Sequence, residues 1–141
     1  MGARVGIPFD GLCTLIQVFD MKTSLAFYRD LLGFEVYMTA TPAEDGHFDW
    51  CWLKGPGNAD LMLNTMFERE QRPHRADPAR VEAHHDTCFY IGCKDLEAAH
   101  KYLHERGVDL HGPTVTHYGA KQIYMKDPDG YSVCLQWSAR G

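Results

Sequence analysis

The sequence predicts an α+β fold of two tandem βαβββ modules, because one pattern occurs twice, each copy carries its own helix caps, and both copies end alike. Each copy begins with a β-like run, an Asp and a helical stretch: residues 13–19 precede Asp20, and residues 88–94 precede Asp95. An Asp at that place accepts hydrogen bonds from the unpaired N–H groups of the first helical turn. We therefore expect a strand followed by a helix at the start of each module.

The rest of each module follows in the same order. Gly33 and Gly107 close the two helical stretches, where the left-handed backbone after a helix favours glycine. A Pro/Gly turn then leads into the last strand of each copy. These final segments are residues 54–64 and 126–136, and shorter strand-like runs lie at residues 34–39, 48–54, 108–110 and 122–126.

The length and composition fit a single domain, residues 1–141, with modules at residues 8–66 and 86–138 and a linker at residues 67–85. The chain has 141 residues, of which 45% are hydrophobic, enough apolar material for a core. Its 14 Lys and Arg against 19 Asp and Glu give a net charge of −5, which does not favour a nucleic-acid or anionic-membrane protein, because both need a basic stripe. No apolar run is long enough to span a membrane.

The cysteines indicate the compartment. The five cysteines are spread along the chain without a C-x-x-C pair, and the first residues do not have the apolar stretch expected of a secretory signal. This pattern favours reduced thiols in a cytoplasmic protein over a disulfide framework.

Several short motifs together carry a family resemblance. In the first module these are Val18-Phe19-Asp20, Ser24, Phe27-Tyr28 and Leu32-Gly33-Phe34; in the second they are Asp95-Leu96-Glu97-Ala98-Ala99, Gly107-Val108 and Asp127-Pro128-Asp129-Gly130-Tyr131. In this order, over nearly the whole chain, they resemble the vicinal oxygen chelate superfamily of glyoxalase I, extradiol dioxygenases, fosfomycin-resistance enzymes and bleomycin-resistance proteins. The resemblance implies a glyoxalase-like fold, in which curved mixed sheets surround a shared cleft, and a homodimer. It leaves open whether the modules pair within one chain or across the dimer.

The resemblance also implies where a metal would bind. Metal-dependent members take His, Gln or Glu ligands from the first and last strands of each module, and the matching positions here are Cys13, Met62, Cys88 and Cys134. We therefore expect no metal and no other cofactor. A divalent metal held by displaced ligands is one alternative. Three thiols and a thioether could also hold a soft metal, although free Cys commonly packs as a small apolar residue.

A nucleophilic or redox thiol is a further alternative. Such a thiol needs a nearby base, and His84 and Asp86 share strand parity with Cys88 if the strand begins that early. The sequence leaves this choice open.

Strand alternation selects the side chains that face the cleft. Phe48, Trp50 and Trp52 share one face of their strand, and Cys51 and Leu53 share the other, which we expect to pack on the helices. The tryptophans would then line the cleft, unless they fill a closed core instead. The remaining predicted ligand-binding residues are Gln17, Met62, Asn64, Tyr90, Tyr124 and Gln136, with His117 at the rim.

An aromatic lining with a few amides and hydroxyls suits binding rather than acid–base catalysis. A Trp-x-Trp-Leu strand before a Leu-Met-Leu strand is most similar to the metal-free, bleomycin-resistance-like members. The leading hypothesis is therefore a small-molecule binding protein that sequesters a planar or aromatic ligand without metal. The alternatives are a metal-dependent lyase, isomerase or dioxygenase with displaced ligands, and a Cys-based metal or redox module.

Overall fold

The computed structural model describes residue 2 and residues 5–140, and its core is a pair of four-stranded mixed sheets, one in each module. The first module comprises β1 (Thr14–Val18), α1 (Met21–Leu25), β2 (Glu35–Thr39), β3 (Trp50–Lys54) and β4 (Asp60–Thr65). Its sheet has the order β1-β4-β3-β2, with β1 parallel to β4 and the other pairs antiparallel. The predicted βαβββ order is confirmed.

The second module repeats this arrangement after the linker. The linker contains α2 (Pro78–Ala83), and the module comprises β5 (Cys88–Gly92), α3 (Leu96–Glu105), β6 (His111–Val115), β7 (Ala120–Lys126) and β8 (Ser132–Ser138). Its sheet has the order β5-β8-β7-β6, again with one parallel pair, β5 and β8.

Three local features differ from the sequence prediction. The strand expected at residues 108–110 is wrong, because the Val108 N–H donates to the Leu103 carbonyl at 3.1 Å and extends the end of α3, so that β6 begins only at His111. The first helix changes type, since α1 continues as a π-helix at Ala26–Leu31, with the Leu32 N–H donating to the Phe27 carbonyl at 3.0 Å. The linker, for which no helix was predicted, forms α2. This helix could have been predicted, because Asp77 followed by Pro78 is a common helix start.

The helix side of each sheet forms an apolar core, and the two cores meet. Ile16, Leu53 and Leu63 belong to the first core, and Ile123 and Val133 belong to the second. Phe27, Leu32 and Phe89 pack against both cores. The modules therefore contact each other through their helix sides. No helix in residues 5–140 is long and apolar enough to cross a membrane.

A turn between β7 and β8 fastens the second module to the first. The buried Tyr28 hydroxyl donates to the Asp127 carboxylate at 2.6 Å, and Asp129 accepts from the Phe19 N–H at 2.8 Å and the Ser24 hydroxyl at 3.3 Å. The Tyr131 hydroxyl reaches the Gln17 carbonyl at 3.0 Å. Residues 127–131, which we call the clamp turn, thus connect β8 to β1 and α1.

The clamp turn also receives the linker. The His84 ring stacks on Tyr131 at 4.0 Å, and its Nδ1 hydrogen-bonds to the Asp129 carbonyl at 2.7 Å. At Gly130, which has a φ of +88°, an added Cβ would overlap the backbone carbonyl oxygen of Val81 in α2. The close approach of α2 therefore requires glycine at this position.

Among the residues that the structure describes, the equivalent turn of the first module makes no side-chain hydrogen bond to the other module. Gly55 stands where the clamp turn has Asp127, and its N–H bonds to the Ala59 carbonyl at 2.7 Å as the Asp127 N–H bonds to Tyr131. A Cβ on Gly55 would lie 3.0 Å from the Phe34 ring. Phe34, Pro56 and Leu103 line an apolar cavity of about 310 Å³ between the modules.

Gly130→Ala is expected to destabilise the chain strongly. The left-handed backbone costs about 1–2 kcal/mol with a Cβ, and the overlap with Val81 adds the cost of displacing α2. The matched control is Gly107→Ala, which has a φ of +77° and open space around the added Cβ. Urea unfolding of both variants measures the difference, and equal losses of stability would contradict the contact with α2.

Asp127 is expected to make the free energy of unfolding fall as the pH rises from about 4 to about 6. Burial raises the pKa of Asp127 from 3.8 to about 6, so in this window the native state holds a proton that the unfolded state has lost. The pKa difference corresponds to about 3 kcal/mol. Asp127→Asn removes this dependence because an amide does not titrate.

Urea titrations between pH 4 and pH 7 compare Asp127→Asn with the unaltered chain and with Asp109→Asn, which changes an exposed carboxylate instead. The curve of Asp127→Asn should be flatter than the other two. Three parallel curves would refute the titration of Asp127 in this window.

Candidate ligand-binding faces

The outer face of the first sheet, opposite the helices, has an apolar row at its centre. Met62 in β4 lies between Leu15 in β1 and Trp52 in β3 in the strand register. The intervening residues Cys51 and Leu53 are fully buried on the helix side, as predicted. Met62, which stands at the predicted metal position of β4, therefore lies between an aliphatic and an aromatic side chain.

An amide pair lies beside this row. Asn64 is in register with Gln17 and Trp50, and its Nδ2 donates to Gln17 Oε1 at 3.0 Å and to the Thr65 carbonyl at 3.2 Å. Both N–H groups of Asn64 are thus used. Within the part of the chain that the structure describes, the Asn64 carbonyl and the Gln17 NH₂ have no hydrogen-bond partner and remain for a ligand.

Aromatic side chains continue to the edge of this face. A bulge between Val36 and Met38 in β2 accompanies an edge-to-face contact of Tyr37 with Trp52 at 5.3 Å, and Lys54 lies 4.6 Å from the centre of the Tyr37 ring. The Trp52 Nε1 is buried and has no hydrogen-bond partner among the described residues.

The outer face of the second sheet has the same arrangement with different chemistry. Cys134 in β8 lies between Tyr90 in β5 and Tyr124 in β7, and the two tyrosine hydroxyls hydrogen-bond at 3.1 Å. Cys134 is completely buried. The hydrogen bond to Tyr90 and burial raise the pKa of Tyr124 well above its ordinary value.

A second amide pair flanks the tyrosines. The Nε2 of buried Gln122 donates to Gln136 Oε1 at 3.1 Å and to the Tyr118 hydroxyl at 3.0 Å. As on the first face, this leaves one amide carbonyl, of Gln122, and one NH₂, of Gln136, without a partner in the described chain. Each sheet thus offers a donor and an acceptor beside its central row.

The structure places most of the predicted ligand-binding residues on these two faces. The first face carries Gln17, Trp50, Trp52, Met62 and Asn64, and the second carries Tyr90, Tyr124 and Gln136. His117 lies in the exposed turn before β7, with its ring 5.3 Å from that of Tyr118. Their roles in binding remain predictions.

One residue was assigned to the wrong face, and two residues of the second face were not predicted. Phe48 was expected on the outer face but packs against the first core, because the chain bends at Asp49 before β3 and interrupts the alternation. Gln122 and Tyr118 were missed. The parity of Gln122 with Tyr124 in β7 could have identified the first, but the fold of the turn that holds Tyr118 has no sequence pattern.

The surroundings of the thiols at the predicted metal positions raise their pKa values. Burial raises the pKa of the Cys13, Cys88 and Cys134 thiols, and the charge of Asp60 raises that of Cys13 further. A raised pKa lowers the fraction of the reactive thiolate at a given pH. Among residues 5–140, no three His, Cys, Asp or Glu side chains are grouped so that they could hold a metal ion.

His84 and Asp86, which were considered as bases for the Cys88 thiol, do not belong to the same strand as Cys88. His84–Asp86 form a 3₁₀ turn rather than the start of β5, so the parity argument with Cys88 is wrong. Instead, the His84 side chain packs on the clamp turn, as described above.

Both outer faces are open in the single chain. Leu15 is 42% exposed, Met38 48% and Tyr90 55%, although all three are large and apolar or aromatic. Exposed apolar surface of this kind commonly marks an interaction or ligand site.

Comparison with known proteins identifies the family. Residues 12–135 match the family model described as the Glyoxalase/Bleomycin resistance protein/Dioxygenase superfamily. No curated protein matches the sequence.

Solved structures with similar folds include antibiotic-binding proteins. TnmS3, an antibiotic binding protein from Streptomyces sp. CB03234, is 23% identical with a TM-score of 0.65, over 94% of this chain and 99% of its own. A bleomycin-binding protein complexed with bleomycin is 17% identical with a TM-score of 0.65, over 92% of this chain and 99% of its own. An integron cassette protein from the mobile metagenome of the Halifax Harbour sewage outfall is 22% identical with a TM-score of 0.64, over 91% and 98%. These similarities establish the fold.

Cys134 is expected to resist alkylation until Tyr124 is removed. Iodoacetamide should label Cys13 and Cys88 in the native chain while Cys134 stays unlabelled beneath the tyrosines. Tyr124→Ala should raise the labelling rate of Cys134 by about tenfold or more, because exposure controls access to the thiol. Peptide mass spectrometry measures each rate.

The control is Tyr102→Ala, which removes a tyrosine from α3, away from both outer faces. Labelling of Cys134 in the unaltered chain at the rate of Cys13 would contradict the tyrosine cover.

Proposed function

The chain belongs to the glyoxalase/bleomycin resistance protein/dioxygenase superfamily, and from this premise we propose that it binds a planar or aromatic small molecule and sequesters it without metal. The proposal concerns the two outer sheet faces. Their aromatic side chains provide contact area for a flat ligand, and their amide pairs provide orientation.

The observation that carries this proposal is the pair of central rows. Met62 lies between Leu15 and Trp52, and Cys134 lies beneath the hydrogen-bonded tyrosines Tyr90 and Tyr124. A divalent ion in catalysis needs imidazole or carboxylate ligands and open positions for substrate oxygens. A thioether and a buried thiol supply neither, whereas both rows suit stacking against an aromatic ring.

The amide pairs support recognition of a ligand with polar edges. Gln17 and Gln136 each offer an NH₂, and Asn64 and Gln122 each offer a carbonyl. A flat ligand with both donors and acceptors on its edge could bond to a pair while its faces contact the aromatic rows. Some proteins of similar fold carry names that indicate antibiotic or bleomycin binding, which is consistent with this class of ligand.

A second copy of the chain would complete the site. Each outer face is open and carries large exposed side chains, so one sheet alone encloses little of a ligand. In the proposed homodimer, a first-module face of one protomer and a second-module face of its partner enclose the ligand between them. The five free cysteines fit a reducing, cytoplasmic compartment, which is part of the same proposal.

Tryptophan fluorescence titrations with bleomycin and a panel of planar aromatic compounds test ligand binding. We expect saturable quenching, and Trp52→Leu should weaken binding by about tenfold, or about 1.4 kcal/mol, because a stacking surface is lost. Trp137→Phe is the control, since Trp137 is in register with Lys121 on the opposite face of the second sheet. Equal affinities of the Trp52→Leu variant and the unaltered chain would contradict the proposed face.

Metal analysis and sedimentation of the same chelator-free preparation test the other two parts. We expect less than stoichiometric metal and a mass twice that of the chain. Stoichiometric nickel, manganese, iron or zinc would overturn metal-free binding and favour a metal-dependent lyase, isomerase or dioxygenase. Loss of such metal in Cys134→Ser would favour the Cys-based module instead.

A further inference from the structure

A separate cavity of about 510 Å³ lies between the end of β1 and the linker. This volume is within the range of small-molecule pockets. Its apolar walls include Val18 and Phe19 from the first module, Phe67 after β4, and Val81 of α2. The cavity is therefore closed on one side by the α2 segment that the clamp turn holds in place.

Two arginines give the cavity a positive wall. Arg75 and Arg80 both line it, and neither forms an ion pair or side-chain hydrogen bond with any residue in the described part of the chain. Other arginines in that part of the chain are already paired, for example Arg29 with Asp30 at 2.8 Å and Arg72 with Asp20 at 2.8 Å. The guanidinium groups of Arg75 and Arg80 can therefore bind a ligand at the wall of the cavity.

The acidic groups of the cavity are already engaged by the fold. The Asp77 carboxylate accepts from the Ala79 N–H at 3.0 Å and caps α2. The Asp129 carboxylate accepts from the Phe19 N–H and from the Ser24 hydroxyl. Both carboxylates keep their charge but are tied to the fold by these hydrogen bonds, whereas the two guanidinium groups have no such bond in the described chain and are the charged groups with unused donors for an occupant.

His84 adds a polar group on the same wall. Its Nδ1 is engaged with the Asp129 carbonyl, while its Nε2 has no hydrogen-bond partner among the described residues. This nitrogen can donate to or accept from a molecule in the cavity, depending on the tautomer.

We propose that this cavity is a second small-molecule site, which binds an amphipathic carboxylate with its apolar body against Phe19, Phe67 and Val81 and its carboxylate on Arg75 and Arg80. A guanidinium group forms paired hydrogen bonds with a carboxylate, and these bonds are stronger than neutral ones. The cavity adjoins the first outer face at Gln17, which lines it, but the aromatic side chains of the outer faces, Trp52, Tyr90 and Tyr124, do not line it. It does not depend on the proposed sequestering function.

Calorimetric titration with naphthalene-2-carboxylate and naphthalene-2-carboxamide tests the site. The two probes share an apolar body and differ in charge. We expect the carboxylate to bind with one site per chain and about tenfold more tightly than the amide. Amide NMR shifts on addition of the carboxylate should cluster at Phe19, Phe67 and Val81.

The double variant Arg75→Gln/Arg80→Gln should lose the preference for the carboxylate. The matched control is Arg29→Gln/Arg106→Gln, which removes the same charge from residues outside the cavity. Ala79→Phe, which adds a ring to the lining, should abolish binding of both probes while leaving tryptophan quenching by ligands of the outer faces unchanged.

Several results would overturn the site. These are no binding of the carboxylate, equal affinity for carboxylate and carboxamide, a preference that persists without Arg75 and Arg80, or NMR shifts confined to Trp52 and Tyr124. Because the Ala79→Phe result is compared with quenching at the outer faces, failure here is distinguishable from failure of the proposed function.

Discussion

The hydrogen bond from Tyr28 to Asp127 is the contact on which the arrangement of the modules depends. It joins two groups that are buried where the cores meet, and burial of a carboxylate is unfavourable unless donors surround it. The N–H groups of Asp129 and Tyr131 supply two more donors at 2.8 and 2.9 Å. Because Tyr28 belongs to the first module and the turn to the second, separation of the modules would leave this carboxylate with fewer donors. The clamp turn also contacts β1 and α2. The positions of the outer faces and of the linker cavity therefore depend on it.

Local sequence patterns predicted the two modules. The features that depend on contacts between distant residues could not be predicted from such patterns. Alternation placed Cys51 and Leu53 in the core and Trp52 outside, because a regular strand has a period of two. The same rule failed at Phe48, where a bend precedes the strand. The cover of Tyr90 and Tyr124 over Cys134 depends on the register of three strands that are distant in sequence, which no local pattern encodes.

The two outer faces show how one framework carries different chemistry. In the first, the central row is Leu15, Met62 and Trp52, which is apolar throughout; in the second it is Tyr90, Cys134 and Tyr124, with a hydroxyl pair above a thiol. The amide pairs remain alike in both. The faces therefore differ in their central rows and agree in their amide pairs.

The turn at Gly55 has a consequence for the history of the chain. Leu103 of α3 occupies the place that corresponds to Tyr28 in the π-helix after α1, and Gly55 the place of Asp127, so the second junction lacks the buried tyrosine–carboxylate pair of the first. A carboxylate at Gly55 would have to displace the Phe34 ring. Two copies of either half could not form both junctions. If the halves arose by duplication, they have since become obligate and unlike partners, and the chain is in effect a heterodimer joined by a linker.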